Sequence, residues 1–407
     1  MGQVHAPQPT GPNTPKVHVS GDGDQEKTLV VIFLRGGADG LTLVPPVADD
    51  GYHRARPLLG IDTNEGHRLD DLFALHPHLG ALRPLFDEGR FGVIHAAGSD
   101  DHTRSHFSAQ DLMEHGGEGV GGGWLGRYLR YGAGQDAGGG VQASALSAVA
   151  LGKTLPESLR SAPSAVVMED FDSLALGQDS YATALLLHEI ELLYGLETGE
   201  LGHASRSAVS ALRRIEDLRG RPYVPSGGAE YPKGEFGRGL REIARMIKAR
   251  VGLEAATLDL NGWDSHLTQS ALLAPLLRNL GDGLAAFADD LGPQLATTQV
   301  VVMTEFGRRV HENASFGTDH GRGSVMLTLG GACDALPSLG GHVTADWPGL
   351  DGSVLEGPGD LPVVHDYRDV LTPILHWHSG STDDAPLPRV FPDHDPQPVW
   401  RRRHSPS

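Results

Sequence analysis

Residues 29–40, LVVIFLRGGADG, constrain this chain most. An unbroken apolar run that ends in a glycine turn is a buried strand, and its carboxyl end is where polar groups are delivered. Here the delivered groups are Arg35 and Asp39. RGGADG lacks the GK[ST] ending of a phosphate loop. Its glycines let the backbone bend and leave room for a metal or an anion.

The rest of the chain repeats the strand-then-helix rhythm. Apolar segments at 91–97, 144–150, 165–168, 253–260, 298–303 and 324–329 read as strands. Helical spacing marks 78–88, 105–114, 124–131, 181–194, 204–218, 237–249, 270–291 and 367–377. Alternation of this kind predicts an α/β fold with a central, mainly parallel sheet flanked by helices. The expected organisation is a disordered tail at 1–27, a single α/β domain at 28–392 and a flexible tail at 393–407. Within the domain, 180–255 is expected to cover the sheet or form a cap. The 55 glycines and 27 prolines point to long structured loops rather than a helical bundle.

Composition narrows the function classes. A formal net charge of -19 argues against a nonspecific nucleic-acid partner, since phosphate backbones want a basic surface. No apolar run reaches the length of about 18 residues that a membrane span needs. The first 28 residues lack the basic start and apolar core of an export signal. The chain is therefore expected in the cytoplasm, unless a leader has been removed. The single cysteine, Cys333, allows no intrachain disulfide and reads as a small buried hydrophobe.

Five polar clusters adjoin the predicted strands: Arg35 with Asp39; His95 with residues 100–106; Asp264 with His266; Thr304, Glu305 and Arg308; and Asp319, His320 and Arg322. Residues just past parallel strand ends converge on one crevice, which makes these clusters one candidate site. Asp264 and His266, two apart in an extended segment, face the same way and could share one ion. Glu305 directly follows an apolar strand and needs a partner there, either a metal or Arg308 or Arg309. Asp319 and His320 pair an acid with an imidazole on a glycine-bounded loop. Asp39, for its part, has a plain alternative as a turn aspartate.

Ser105 opens a predicted helix. It is either a helix cap or a hydroxyl nucleophile at an anion-favouring N-terminus, with Thr103 as its rival. Arg35 or Arg104 would clamp the oxygens of a transferring group. His95 and His102 are spare acid–base candidates with a structural alternative.

Long ordered motifs carry a family resemblance: FLRGGADGLTLV, HAAGSDDHTRSHFSAQDLME, GGWLGRYL, NGWDSH, VVVMTEFGRRVHENASFGTDHGRGSVMLTLGG, DWPGL and DYRDVL. Together they resemble the DUF1501 proteins, a branch placed with the alkaline phosphatase and sulfatase superfamily. The resemblance implies an alkaline phosphatase-like three-layer sandwich with one or two divalent ions. Zn is foremost among these, with Mn, Mg or Ca as alternatives. It implies metal ligands at Asp39, Asp264, His266 and His320 and a nucleophile at Ser105 or Thr103. Glu305-Phe306 stands where the superfamily has an Asp-His pair, so a second ion would need Asp319 or His311. No cysteine lies near 105, which removes a formylglycine nucleophile. The resemblance also implies an exported or periplasmic protein. The expected activity is metal-dependent hydrolysis of a phosphate or sulfate ester, with a small anionic ester or glycan as ligand. The alternative is a catalytically degenerate binding or structural protein, for a glycan or a protein partner.

Overall fold

β1, Thr28–Arg35, lies inside the sheet with a parallel neighbour on each side, and seven of its eight residues are buried. The computed structural model describes residues 26–131, 145–174, 180–195, 197, 199–336 and 339–399. The expectations for residues 1–25, 144 and 400–407 fall outside them. The other strands of the sheet are β2 Phe91–Gly98, β3 Ala148–Leu151, β4 Val166–Met168, β5 Ala255–Asn261, β6 Thr298–Met303, β7 Ser324–Gly330, β8 Val343–Thr344 and β9 His365–Asp366. They run in the order β8-β2-β7-β6-β1-β5-β3-β4, with β9 beside β2. Every pairing is parallel except those of β7, which is antiparallel to β2 and β6.

Seven helices matter to the argument: α1 His106–His115, α2 Trp124–Tyr131, α3 Ser180–Gly195, α4 Glu200–Arg219, α5 Glu235–Lys248, α6 Gln269–Leu291 and α7 Tyr367–Ser379. Alternate residues of a strand face opposite sides, and β1 sorts itself accordingly. Val30, Ile32 and Leu34 enter one core with Leu240 and Ile243 of α5 and Leu277, Leu280 and Leu284 of α6. Leu29, Val31 and Phe33 enter another with Trp124 and Tyr128 of α2 and Val370 and Ile374 of α7. The fold is therefore α/β in three layers, with a mixed, mostly parallel sheet between helices. A strand buried on both faces is mostly apolar, which is why β1 and β6 read as near-continuous runs.

One segment differs from expectation. The helix expected over 78–88 is a 3-10 turn, Pro77–Leu82, followed by a short helix, Arg83–Asp87. Pro84 has no N–H to donate, so it suits the start of a second piece rather than the middle of one helix. Within 180–255, α5 lies on the sheet core, while α3 and α4 form a hairpin whose Ala211, Ile215 and Leu218 reach that core. Arg213 of α4 pairs with Glu191 of α3 at 2.5 Å.

The turn after β1 is pinned by a buried ion pair. Arg56 grips both oxygens of Asp39, and their side chains are 0% and 2% exposed. Thr42 and Gln269 donate to the same carboxylate at 2.7 and 2.6 Å. Arg56 also donates to the carbonyls of Arg309 and Val310. Burial opposes the Asp39 charge, but Arg56 outweighs it and holds the carboxyl below its ordinary range. A depressed carboxyl contributes stability above its unfolded pKa and loses it as pH falls through the folded value. Removing one partner of such a pair strands the other. Asp39→Asn is expected to cost about 3–5 kcal/mol in denaturant unfolding at pH 7, with the difference shrinking below about pH 4.

Candidate metal centre

The site forms where the parallel strands end. β1 delivers the Gly36-Gly37 turn, β5 runs into Trp263-Asp264, and β6 runs into Thr304-Glu305. β2 leads to α1, whose first residue is His106. Because β7 is antiparallel, the loop that precedes it reaches the same edge and brings Asp319 and His320 there.

Gly36 and Gly37 adopt φ of +120° and +68°. A Cβ on Gly36 would lie 2.4 Å from the Asp264 amide nitrogen, and one on Gly37 would lie 2.4 Å from the Phe306 ring. The close approach of three strand ends therefore requires glycine at both positions.

Nitrogens of three imidazoles and one carboxylate meet here. Ligand atoms of His106, Asp264 and His320 lie within 4.8 Å of one another. His106 Nε2 is 3.5 Å from Asp264 Oδ2, and His320 Nε2 is 3.1 Å from Asp264 Oδ1. His266 Nε2 joins them, 3.0 Å from both Asp264 Oδ1 and His320 Nε2.

The outer nitrogen of each ring decides what the inner one can do. His106 Nδ1 lies 2.9 Å from Glu305 Oε1. His320 Nδ1 lies 3.0 Å from the Arg104 carbonyl, which can only accept, so that nitrogen carries the proton. His266 turns Nδ1 toward Asp319, 3.6 Å away. With a cation bound, the Nε2 atoms of His106 and His320 would present lone pairs to it, the arrangement in which an outer acceptor orients a metal-ligating histidine, whereas His266 stands beyond hydrogen-bond distance of Asp319. His106 Nε2 is buried and has no hydrogen-bond partner.

Four donors around a tetrahedral zinc ion, each about 2.0–2.1 Å from it, sit about 3.3 Å apart. The gaps from Asp264 to the three rings and from His266 to His320, 3.0–3.5 Å, are close to that edge length, and the ligand atoms of His106, Asp264 and His320 stay within 4.8 Å of one another. The donor set and its spacing fit a divalent cation.

The electrostatics follow the contacts. Burial disfavours the Asp264 charge, but His320 and Arg308 prevail and bring its pKa down to about 2. Burial likewise opposes Glu305, yet His106 and Gln110 hold it at about 2. The Glu305 hydrogen bond pushes His106 above its ordinary value, while burial pulls His320 below its own.

The expected site residues separate into groups. Asp264, His266 and His320 converge, with Asp319 behind His266. Asp39 does not join them, because Arg56, Thr42 and Gln269 occupy it. Glu305 is not an inward-facing ligand. Gly36 N, Gln110 and His106 take one of its oxygens and Thr304 the other, so it orients His106 instead. Its expected arginine partner, Arg308, pairs with Asp264 at 2.8 Å. His95 is wholly buried, stacks on Phe73 and is depressed to about 4 by burial, so it belongs to the core.

The expected oxygen clamps are occupied as well. Arg104 is tied to Asp360, and Arg35 to Glu114 and Asp259. The Thr103 hydroxyl donates to Asp101 and accepts from the Ser105 amide, closing a turn. His102 is exposed. Ser105 occupies the cap position of α1, but its side chain makes no capping hydrogen bond.

His106 falls inside the polar cluster at 100–106 but is not singled out there as a metal ligand. Its signal is spacing: His106, Gln110 and Glu114 recur every four residues on one face of α1, and they meet Glu305 and Arg35.

Fold and site together define an α/β protein with a candidate divalent-metal centre at the carboxyl edge of its sheet. Residues 95–376 match the family described as "Protein of unknown function (DUF1501)", and the chain belongs to that family. Among solved structures it is similar to a mutant TAB5 alkaline phosphatase with Mg bound, at 11% identity over 75% of this chain and 91% of that one, with a TM-score of 0.28. Alkaline phosphatase from the Antarctic bacterium TAB5 gives 12% identity over 76% and 93%, with a TM-score of 0.25. Comparison with curated proteins finds no match.

Glu305→Gln keeps the shape of that side chain and removes its charge. It is expected to lower the His106 pKa in metal-free protein, read by NMR titration of the ring. Zinc affinity should fall about 10- to 100-fold, measured by chelator competition.

Proposed function

We propose that the protein is a metal-dependent hydrolase of a phosphate or sulfate ester. The observation that carries the reading is the convergence of three imidazole Nε2 atoms on Asp264, with the His106 and His320 rings each fixed from behind by an acceptor. His106, Asp264, His266 and His320 would hold one divalent ion, and three imidazoles with one carboxylate suit zinc best. When bound, the ion supplies Lewis acidity toward an oxygen of the ester.

The chain's own residues supply the rest. Ser105 precedes His106 and keeps its hydroxyl out of the helix cap, which favours it over Thr103 as nucleophile. The first N–H groups of α1 have no intrahelical partners and would favour the ester's anionic oxygens. Neither Arg35 nor Arg104 takes that role in this reading, because carboxylates already hold both. Arg308 keeps Asp264 ionised, and Glu305 keeps the proton of His106 on the outer nitrogen.

Metal analysis of protein purified without added ions is expected to find about one divalent ion per chain, absent from a His106→Ala/His320→Ala double variant. Nitrophenyl phosphate, bis-nitrophenyl phosphate and nitrophenyl sulfate then form the substrate screen. Ser105→Ala is expected to lower kcat at least about 100-fold while the ion stays bound. Protein that neither carries nor takes up Zn, Mn or Mg refutes the reading. A bound ion with all three esters intact would favour the binding protein instead.

A further inference from the structure

α3 is apolar on both faces, yet it lies at the outside of the fold. Thr183 and Leu187 are buried. On the opposite stripe, Leu185, Leu186, Leu192 and Leu193 are 50%, 46%, 57% and 72% exposed, with Tyr194 beside them at 38%. A helix with apolar residues all round is normally covered. These side chains leave roughly 500 Å² of apolar surface open, near the upper end for the largest patch on a monomer.

The pattern of the stripe identifies its cover. The four leucines stand at four and three residues before Glu189 and at three and four residues after it. Those offsets place all of them with Glu189 on one face of a helix. An antiparallel copy rotated about a two-fold axis at Glu189 sets Leu185 against Leu193 of the other chain, and Leu186 against Leu192. An isologous interface must be self-complementary in this way. The area agrees: a standard interface takes about 800 Å² from each partner, of which about 60% is apolar. A lipid surface fits less well, since α3 carries no lysine or arginine and the chain is strongly acidic.

We propose that the outer face of α3 is a self-association surface, on which a second copy of this chain packs its own α3 antiparallel about an axis at Glu189. The pairing brings the two Glu189 carboxylates together at the axis, where their repulsion weakens it. The inference stands independently of the metal centre, which lies on other elements.

Sedimentation velocity of the full chain tests it. Wild type is expected to be dimeric at micromolar concentration. Leu186→Asp/Leu193→Asp should raise the dissociation constant at least about 100-fold, with the circular dichroism of the folded chain unchanged, since both side chains face solvent in the single chain. Glu189→Leu should lower it at least about tenfold. Glu189→Cys reports the axis directly: Cys333 is buried, so a short bis-maleimide should join two chains through position 189 alone. Wild type and Glu189→Leu both monomeric up to about 100 μM would overturn the proposal. So would a dimer that survives the double aspartate variant, or binding to anionic vesicles by a chain that stays monomeric.

Discussion

The candidate centre depends on one buried guanidinium. Arg308 donates to the carbonyls of Gly36, Gly37, Trp263 and Thr318 and to Asp264 Oδ1. Those groups come from three separate strand ends and loops. Its side chain is 0% exposed, so its charge could not be buried without such satisfaction. An arginine suits the position because its planar fork fixes several donors at once, which a lysine cannot do. The glycine turn, the segment holding Asp264 and the loop holding His320 therefore share one anchor. The neighbouring Asp39–Arg56 pair extends the same frame. Gln269 donates to Asp39 and accepts from Thr318, so the two buried arginines brace the His320 loop from both sides.

Above that floor the groups become more open. Glu305 and Arg308 are about 1% exposed, whereas His106, His266 and His320 are half-buried and Asp264 is exposed. Orientation is thus set where water is absent, and the inward-facing nitrogens lie within reach of solvent. The helix N-terminus adds precision. Arg104, with φ of +56°, turns its carbonyl onto His320 two residues before His106 begins α1. One short segment consequently orients one histidine, supplies a second and carries Ser105 between them.

Much of the fold was legible because burial on both faces leaves a plain mark. β6 was read at its observed bounds, and β1, β2, β5 and β7 within a few residues, since each is built mainly of buried apolar residues. The site was legible only in part. Asp264, His266 and His320 stood out as acids and imidazoles at strand ends. Glu305 was correctly singled out as a carboxylate that burial makes costly, but the partner that answers the cost is His106, 199 residues away, rather than the nearby Arg308. Asp39 misled for the same reason. A carboxylate after a buried strand looks like a ligand until Arg56 is seen to close on it. Local sequence shows which groups need partners. It does not show which groups the fold brings to meet them.

The pairing of these groups also bears on how many ions the centre can hold. Among the described residues, the inward-facing donors are three imidazoles and Asp264. Asp39 and Glu305, the two carboxylates a second ion would need, spend both oxygens on donors from the protein itself. A carboxylate so committed would have to break charge-assisted hydrogen bonds in a buried setting before it could turn toward a cation, which costs more than a surface rotation would. Asp319 is half-buried and already divided between His266, Arg309 and Asn313. The geometry therefore favours a single ion. In the proposed reading, one ion and the α1 N-terminus would together meet the charge at the reacting group, with Ser105 at the cap of that helix.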